Sequence, residues 1–407
     1  MGSNIIKQIG ALIIFSLFLS SSVHALYIND IKSYELISSG NTLFVGGDGA
    51  GNYTNIQDAI DNATDGDRIY VFNGLYSGGI EIDKSIGLIG QDKNNTIIEG
   101  SSGPGLNGIS IFSDGVTLTG FTLQKIGNFW PEVAIHVNSD SNIIFENIIT
   151  TNKFGIDLMQ ASNNSIFNNL IINQIRYQGM YISYSNNNKI YNNLIANNNG
   201  GAMTIADSYF NVIYNNTISH NEWGGIVFID KIEGNNLVYN NNFFNNLPSN
   251  GNDKGINYWD NGHILGGNYW DDYKGDDLDG DGIGDTPYNV GGGENEDRYP
   301  LMEPINIPKL FITFKNGLRE FSIKNIGDKI AYGVRWELNL DGGLILYGRK
   351  SNGKLSEPLL PNQECGVVTK LILGFGHVLI KIKLWANNFP MVEDTIKGRV
   401  ILFFIMI

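Results

Sequence analysis

The stretch that decides the fold is 155–171, which reads GIDLMQASNNSIFNNLI. The same phrase returns as GMYISYSNNNKIYNNLI at 179–195, as AMTIADSYFNVIYNNTI at 202–218 and as GIVFIDKIEGNNLVYNNNF at 225–243. One apolar marker recurs at steps of 26, 22, 24, 23 and 24 residues, at Leu118, Ile144, Ile166, Ile190, Ile213 and Leu237. Because a fixed period of this size is typical of repeat architectures, the sequence predicts a solenoid.

Within each unit, apolar and polar residues alternate, as Ile156 and Leu158 do around Asp157. Alternation is the spacing of a β-strand and not of a helix. Short strands separated by Asn, Gly and Ser turns cannot bury their inner faces alone, so each unit must stack on the next at about 4.8 Å. The sequence therefore predicts an all-β fold with a right-handed parallel β-helix over residues 26–265.

Asparagine pairs recur at one corner of the unit, at 168–169, 192–193 and 215–216. Asparagine tolerates the left-handed turn conformation, and stacked amides can form a hydrogen-bonded ladder along an axis. We interpret these asparagines as structural.

An open solenoid end exposes apolar side chains and unpaired strand edges, so it needs a cap. The segment 54–63 reads TNIQDAIDNA and places Ile56 and Ile60 on one helical face. Thr54 and Gln57 have the spacing of a capping box. We expect this segment to form a helical cap at the N-terminal end.

The composition excludes several classes of protein. The 407 residues include 27 Lys and Arg against 41 Asp and Glu, a formal net charge of −14, which argues against a nucleic-acid binder. The single cysteine, Cys365, rules out an internal disulfide framework. The charge is divided, because residues 305–407 carry 14 basic and 8 acidic side chains whereas the rest of the chain is strongly acidic.

Residues 1–25 have the order of a secretory signal peptide. Lys7 precedes an apolar run over 9–19, and the segment ends in Val23-His24-Ala25. This predicts export to a secreted or cell-surface location, with no membrane-spanning segment beyond the signal. The alternative is an uncleaved anchor.

The pattern of the sequence changes beyond residue 304. The asparagine repeats stop, and longer alternating strands appear, as in Val378–Leu384. Such strands over about 100 residues predict a small Ig-like β-sandwich at 305–407. The apolar segment 399–407 is too short to span a bilayer and is predicted to be a closing strand.

The opening of the predicted β-helix resembles a known group of proteins. The pattern runs from Ile56-Gln57 through Gly66-Asp67 to Tyr76, followed by KSIGLIG at 84–90. It is similar to the NosD-like, pectin-lyase-like right-handed β-helix proteins. The asparagine-rich coils and GGNYWDDY at 266–273 resemble surface β-helix proteins common in methanogenic archaea. The resemblance covers about residues 41–300 and implies the fold, while the group includes carbohydrate-active enzymes, copper-associated periplasmic proteins and surface proteins.

Aligned coils place one outward-facing column on consecutive rungs, formed by Ser110, His136, Asp157, Tyr181, Thr204 and Val227. His136, Asp157 and Tyr181 would lie about 5 to 10 Å apart, a span that suits a base, a charge stabiliser and a proton donor. No further acid or basic pair completes a reaction scheme. Outward columns also carry polar residues by chance, so a catalytic role is an alternative hypothesis.

Side chains suited to sugar binding precede the same strands. The predicted ligand groove consists of Trp130, Phe154, Arg176, Tyr177, Glu222 and Trp223. Aromatic rings beside polar groups are typical of sites that hold sugar rings. The leading hypothesis is a protein that binds glycan or an envelope partner along this face. The alternatives are a polysaccharide lyase, epimerase or hydrolase, and a purely structural envelope protein.

The segment 277–285, DLDGDGIGD, carries alternating carboxylates at Asp277, Asp279 and Asp281, followed by Asp285. Oxygen ligands and a glycine turn suit calcium, which takes six to eight oxygens. The loop resembles those of EF-hand-like and thrombospondin-type repeats, although Tyr288 stands in place of the bidentate Glu. We expect a structural Ca²⁺ site in an acidic linker at 266–304; the alternative is a solvated linker without metal.

Copper is not expected. Copper sites use clusters of His, Met or Cys, whereas His136, His220, His263 and His377 are scattered along the sequence.

Overall fold

The computed structural model describes residues 40–407 except 102–105, 128–131, 231–232, 306, 315–319, 328, 403 and 407. The predicted signal peptide at 1–25 and Trp130 lie outside these residues. In the described part, parallel coils are followed by antiparallel sheets, which confirms an all-β parallel β-helix with a C-terminal β-sandwich.

Each complete coil contributes one strand to each of three parallel sheets, here called A, B and C in chain order. A further strand at the N-terminal end joins sheet A, and a further strand at the other end joins sheet B. Sheet A consists of β1 (Thr42–Val45), β2 (Arg68–Val71), β5 (Gly87–Gly90), β8 (Thr117–Thr119), β11 (Ile143–Phe145), β14 (Ser165–Phe167), β17 (Lys189–Tyr191), β20 (Val212–Tyr214) and β23 (Leu237–Tyr239). Sheet B consists of β3 (Gly74–Gly78), β6 (Thr96–Ser101), β9 (Thr122–Gln124), β12 (Ile148–Thr150), β15 (Leu170–Ile172), β18 (Leu194–Ala196), β21 (Thr217–Ser219), β24 (Asn242–Phe244) and β26 (Tyr269–Trp270). Sheet C consists of β4 (Ile80–Ile82), β7 (Ile109–Ile111), β10 (Ile135–Val137), β13 (Ile156–Met159), β16 (Met180–Ser183), β19 (Met203–Ala206), β22 (Ile226–Phe228) and β25 (Gly251–Asp253).

Stacked aliphatic side chains fill the interior of the β-helix. Ile144, Ile166 and Ile190 of sheet A occupy equivalent positions in successive coils and are completely buried. Sheets B and C add equivalent inward residues, such as Ile171 and Leu158. Burial of these stacks on all three sides supplies the apolar core that no single coil could form.

Buried amides form ladders at all three corners. The ladders are Asn147, Asn169, Asn193, Asn216, Asn241 and Asn268 between sheets A and B; Asn142, Asn164, Asn188, Asn211, Asn236 and Asn257 between C and A; and Asn152, Gln174, Asn198, Asn221, Asn246 and Asn250 between B and C. Each side-chain oxygen accepts the backbone N–H of the preceding member. Asn192, the residue before Asn193, has a φ of 55°. The structural interpretation of the asparagine pairs is confirmed, and the ladders extend beyond the one predicted corner.

A short helix, α1 (Ile56–Asn62), packs against β1, β2 and β4 at the N-terminal end. Ile56 and Ile60 are buried there, as predicted for a cap. The helix begins one residue later than the predicted capping box, because the side chain of Asn55, and not that of Thr54, accepts the N–H of Gln57 at 2.9 Å.

The segment predicted as a linker, 266–304, packs against the other end of the β-helix. It contains β26 of sheet B, so the parallel sheet extends past the boundary predicted at residue 265. Trp259, Trp270 and Val290 complete the buried core at this end. The remaining elements here are α2 (Gly262–Leu265) and the hairpin of β27 (Tyr288–Asn289) and β28 (Glu296–Asp297).

Two antiparallel sheets form the C-terminal sandwich. The smaller sheet consists of β29 (Leu310–Phe314), β30 (Glu320–Asn325) and β33 (Glu364–Val368). The larger sheet has the order β32 (Lys350–Lys354), β31 (Arg335–Tyr347), β34 (Leu373–Ala386), β35 (Phe389–Leu402) and β36 (Phe404–Met406). Phe321 of one sheet and Trp336 of the other pack together in a shared core.

The sandwich contacts sheet B of the β-helix, where the Ser219 hydroxyl donates a hydrogen bond to the Asn387 carbonyl at 2.6 Å. Within the described ranges, we find no helix with the length and apolar character needed to cross a bilayer.

Candidate functional site

The outer face of sheet C brings the predicted column together. Ser110, His136, Asp157 and Tyr181 occupy consecutive register positions in β7, β10, β13 and β16. Their neighbours on either side in each strand, such as Ile135, are buried in the core, so the column faces outward. The repeat thus predicted this juxtaposition correctly, while the catalytic roles stay predictions.

His136 and Asp157 form a direct pair in this column. His136 Nδ1 lies 3.0 Å from Asp157 Oδ2, and each side chain is only 17% exposed. The ring of Phe112 meets the imidazole edge-on, with the centroids 6.2 Å apart. A carboxylate that holds one ring nitrogen fixes the orientation of a histidine, so this pair is a preorganised polar group on the surface.

The hydroxyl of Tyr181 is protonated at neutral pH. Burial, and next the nearby carboxylates of Asp157, Asp230 and Asp207, raise the pKa of its hydroxyl above the ordinary value near 10. The hydroxyl therefore stays protonated and can donate a hydrogen bond to a ligand.

Three neighbours of Tyr181 were not predicted from the sequence. Tyr184, Asp207 and Asp230 follow their strands of sheet C at the same offset in successive coils. The Asp207 N–H donates to Asp230 Oδ2 at 2.7 Å, and the Tyr184 hydroxyl bonds to Asp207, which raises the pKa of Tyr184. The repeated offset was the signal that could have found this second polar column.

Aromatic side chains lie at the edge of the column. The Phe154 ring packs 6.1 Å from that of Tyr177 and, at right angles, 6.4 Å from that of Tyr181. The Arg176 guanidinium lies 5.3 Å from the centroid of Tyr177. Phe154 is buried, so it supports the two tyrosines from below and does not present a ring face to a ligand.

Trp223 lies farther along the same corner and is 75% exposed. Its backbone N–H donates to the Gly200 carbonyl, and a Cβ atom on Gly200 would lie 2.4 Å from the carbonyl carbon of Tyr177. Glycine is thus required between the two aromatic coils, which lie two rungs or about 10 Å apart. The exposed Glu222 lies beside Trp223. The predicted groove residues thus lie on nearby coils, apart from Trp130, which lies outside the described residues, and the ligand groove itself stays a prediction.

The acidic loop brings three of its four predicted ligands together. Carboxylate oxygens of Asp277, Asp279 and Asp281 lie within 4.8 Å of one another. Asp285 Oδ2 instead accepts the N–H of Leu278 at 2.7 Å. His263 Nε2 lies 3.1 Å from Asp281 Oδ2, a contact that the sequence did not predict.

Three parallel sheets that wind in successive coils, with asparagines stacked at their corners, define a parallel β-helix protein. The family model described as periplasmic copper-binding protein (NosD) matches residues 60–275, which is more than half of the chain. The chain belongs to the NosD family. No curated protein sequence matches it.

Several solved structures are similar to the chain at a low level. Tailspike protein 2 of Escherichia coli O157:H7 bacteriophage CAB120 is 11% identical over 88% of this chain and 64% of its own, with a TM-score of 0.32. The PL6 family alginate lyase AlyGC is 15% identical over 57% of this chain and 40% of its own, with a TM-score of 0.31. Pectin methylesterase PemA from Erwinia chrysanthemi is 11% identical over 52% of this chain and 90% of its own, with a TM-score of 0.31. The chain thus spans less than two thirds of the tailspike and of the lyase.

Copper, which the family description names, does not fit the described residues. His136 lies in β10, His220 follows β21, His263 lies in α2 and His377 in β34. The group of His, Cys, Asp and Glu side chains that converges in the described part is the aspartate cluster of the acidic loop, whose oxygen ligands suit a hard cation.

Proposed function

We propose that this NosD-family protein works outside the cytoplasm and binds a polysaccharide across the outer face of sheet C. The observation that carries the proposal is the placement of Tyr177 and Trp223 two coils apart, beside the polar column of His136, Asp157 and Tyr181. The description of the family as periplasmic supports the location.

The chemistry of this face favours a neutral polysaccharide. Aromatic rings pack against the apolar faces of sugars, while fixed donors and acceptors bond to hydroxyl groups. Carboxylates dominate the charge of the face, since Asp157, Asp207 and Asp230 lie around Tyr181, whereas Arg176 is engaged over Tyr177. A polyanionic chain would therefore be repelled.

The proposal is tested by affinity electrophoresis of the full chain in a panel of neutral and acidic polysaccharides. We expect binding to at least one neutral polysaccharide and about tenfold weaker binding for Trp223→Ala combined with Tyr177→Ala, because two ring contacts are lost. Phe311→Ala, which removes an exposed ring from the sandwich, is the matched control. Binding that survives the double substitution contradicts the groove.

The His136–Asp157 pair also favours a second candidate, a carbohydrate-active enzyme. In that case the same panel would give chain cleavage or an unsaturated product, and both His136→Ala and Tyr181→Phe would abolish it. Binding without turnover supports the binding protein. The absence of both would leave a purely structural envelope protein.

We further propose that Asp277, Asp279 and Asp281 bind a structural Ca²⁺. The convergence of their carboxylates supports this, because three like charges within 4.8 Å repel one another unless a cation intervenes. We expect Ca²⁺ to raise the melting temperature by several degrees, since a ligand of the folded state stabilises it. Asp277→Asn with Asp279→Asn should remove the effect, whereas Asp48→Asn, at an exposed acid elsewhere, should not. A melting temperature that EGTA does not change contradicts the site.

A further inference from the structure

One end of the larger sandwich sheet carries exposed apolar side chains. We call this region the sandwich tip and define it as residues 342–350, 370–377 and 397–402. These segments are the end of β31 with the turn to β32, the start of β34 with the residues before it, and the end of β35. Its exposed apolar residues are Leu344, Leu346, Tyr347, Leu371, Phe375, Ile401 and Leu402. Contiguous exposed apolar residues of this kind mark a site of interaction with another protein or with a membrane.

The apolar residues form a continuous line across the sheet. Leu344 pairs with Phe375, and Phe375 pairs with Ile401, so the three side chains share one face. They are 64%, 47% and 36% exposed, respectively. Ile345, the next residue along β31, packs against the sandwich core, which places the line on the outer face.

The same tip is exclusively basic. Its three segments contain Arg349, Lys350, Lys370, Lys397 and Arg399 and neither Asp nor Glu, in a chain whose net charge is −14.

Beyond the tip, the basic side chains of the same sheet have acidic partners. Lys381 pairs with Asp341 at 3.1 Å, and Lys383 pairs with Glu393 at 3.8 Å. The tip therefore combines an apolar surface with an unbalanced positive charge.

We propose that the sandwich tip docks on the surface of a lipid bilayer that contains anionic lipid. The apolar line enters the boundary between headgroups and acyl chains, and the surrounding Lys and Arg side chains contact lipid phosphates. Apolar burial and attraction to anionic lipid act together in peripheral membrane binding. A second copy of the chain is a poorer occupant, because two tips would bring ten like charges together. The proposal is independent of polysaccharide binding on sheet C.

The test is flotation of the full chain with vesicles of phosphatidylcholine alone or mixed equally with phosphatidylglycerol. We expect flotation with the anionic vesicles and a loss of binding as salt is raised, because salt screens the attraction. Leu344→Ser with Phe375→Ser should weaken binding about tenfold. The matched control, Phe311→Ser with Leu360→Ser, removes two exposed apolar side chains elsewhere in the sandwich and should leave binding unchanged.

A second pair of variants tests the charge. Lys350→Glu with Arg399→Glu should weaken binding to anionic vesicles at least as strongly, whereas Lys309→Glu with Lys324→Glu should have little effect. Unchanged circular dichroism and thermal melting show that a variant still folds. Equal flotation of the tip variants and the parent chain overturns the proposal. So does sedimentation of the parent as a dimer that only the tip variants dissociate, which would assign the tip to self-association.

Discussion

We expect a single buried amide in a ladder to influence stability more than its exposed neighbour of the same type. Asn193 Oδ1 accepts two hydrogen bonds from Asn169, and Asn193 Nδ2 donates to the Ile166 carbonyl. Because Asn193→Ala leaves buried polar groups unpaired, we expect it to lower the free energy of unfolding by roughly 3 kcal/mol, measured by urea denaturation. Asn192→Gly keeps the left-handed turn and should change it by less than about 0.5 kcal/mol. Equal effects of the two substitutions would mean that the ladder does not stabilise the fold.

At the scale of the elements, aromatic side chains on five successive strands of sheet A stack on one another on the outer face of the sheet. Phe145, Phe167, Tyr191, Tyr214 and Tyr239 stack with centroids 4.8 to 5.5 Å apart and planes within 11°. Tyr214→Ala removes a ring with two stacked neighbours, so we expect a loss of about 2 kcal/mol in thermal or chemical denaturation. Tyr214→Phe keeps the ring and is the control. If the two variants lose equal stability, the hydroxyl and not the stacking accounts for the effect.

Strands that belong to the repeat could be predicted from the sequence. Side chains in the turns between strands, and strands outside the repeat, could not. The marker residues from Leu118 to Ile213 predict the register correctly, and hence the pairing of His136 with Asp157 and of Asp157 with Tyr181. The last marker is wrong by one residue, because Val238 and not Leu237 pairs with Ile213. Asp207 was missed because it lies in a turn, where strand alternation no longer indicates which way a side chain points. The predicted end of the β-helix at residue 265 is too early, because β26 adds a further strand to sheet B. Its sequence does not follow the repeat, so the period could not predict it.

At the scale of the whole molecule, the order of the β-helix and the sandwich could be predicted from the sequence pattern. The contact of the sandwich with sheet B could not. The sequence pattern changes at residue 304 because the short strands of the parallel coils give way to the long antiparallel strands of the sandwich. The contact between Ser219 and Asn387 joins residues far apart in sequence and has no periodic signal. The same holds for the cap over Trp270, where a buried Asp297 accepts the indole N–H at 2.8 Å.

We expect the buried Asp297 of this cap to make the stability of the molecule depend on pH. Burial raises the pKa of Asp297 to about 7, although N–H donors around it act in the opposite direction. Because a carboxyl whose folded pKa is raised favours folding in its protonated form, its contribution is complete below about pH 4 and is lost as the pH rises toward 7.

Other carboxyls make the protein less stable as the pH falls. The Thr64 N–H lowers the pKa of Asp67, and the Asn94 N–H lowers that of Asp92, so their contributions are lost as the pH falls below about 4. We therefore expect the free energy of unfolding, measured in urea from pH 3 to 8, to be greatest at mildly acidic pH. Asp297→Asn should flatten the decline between pH 5 and 8, whereas Asp48→Asn should preserve it. A decline that persists unchanged in Asp297→Asn would place its origin in another group.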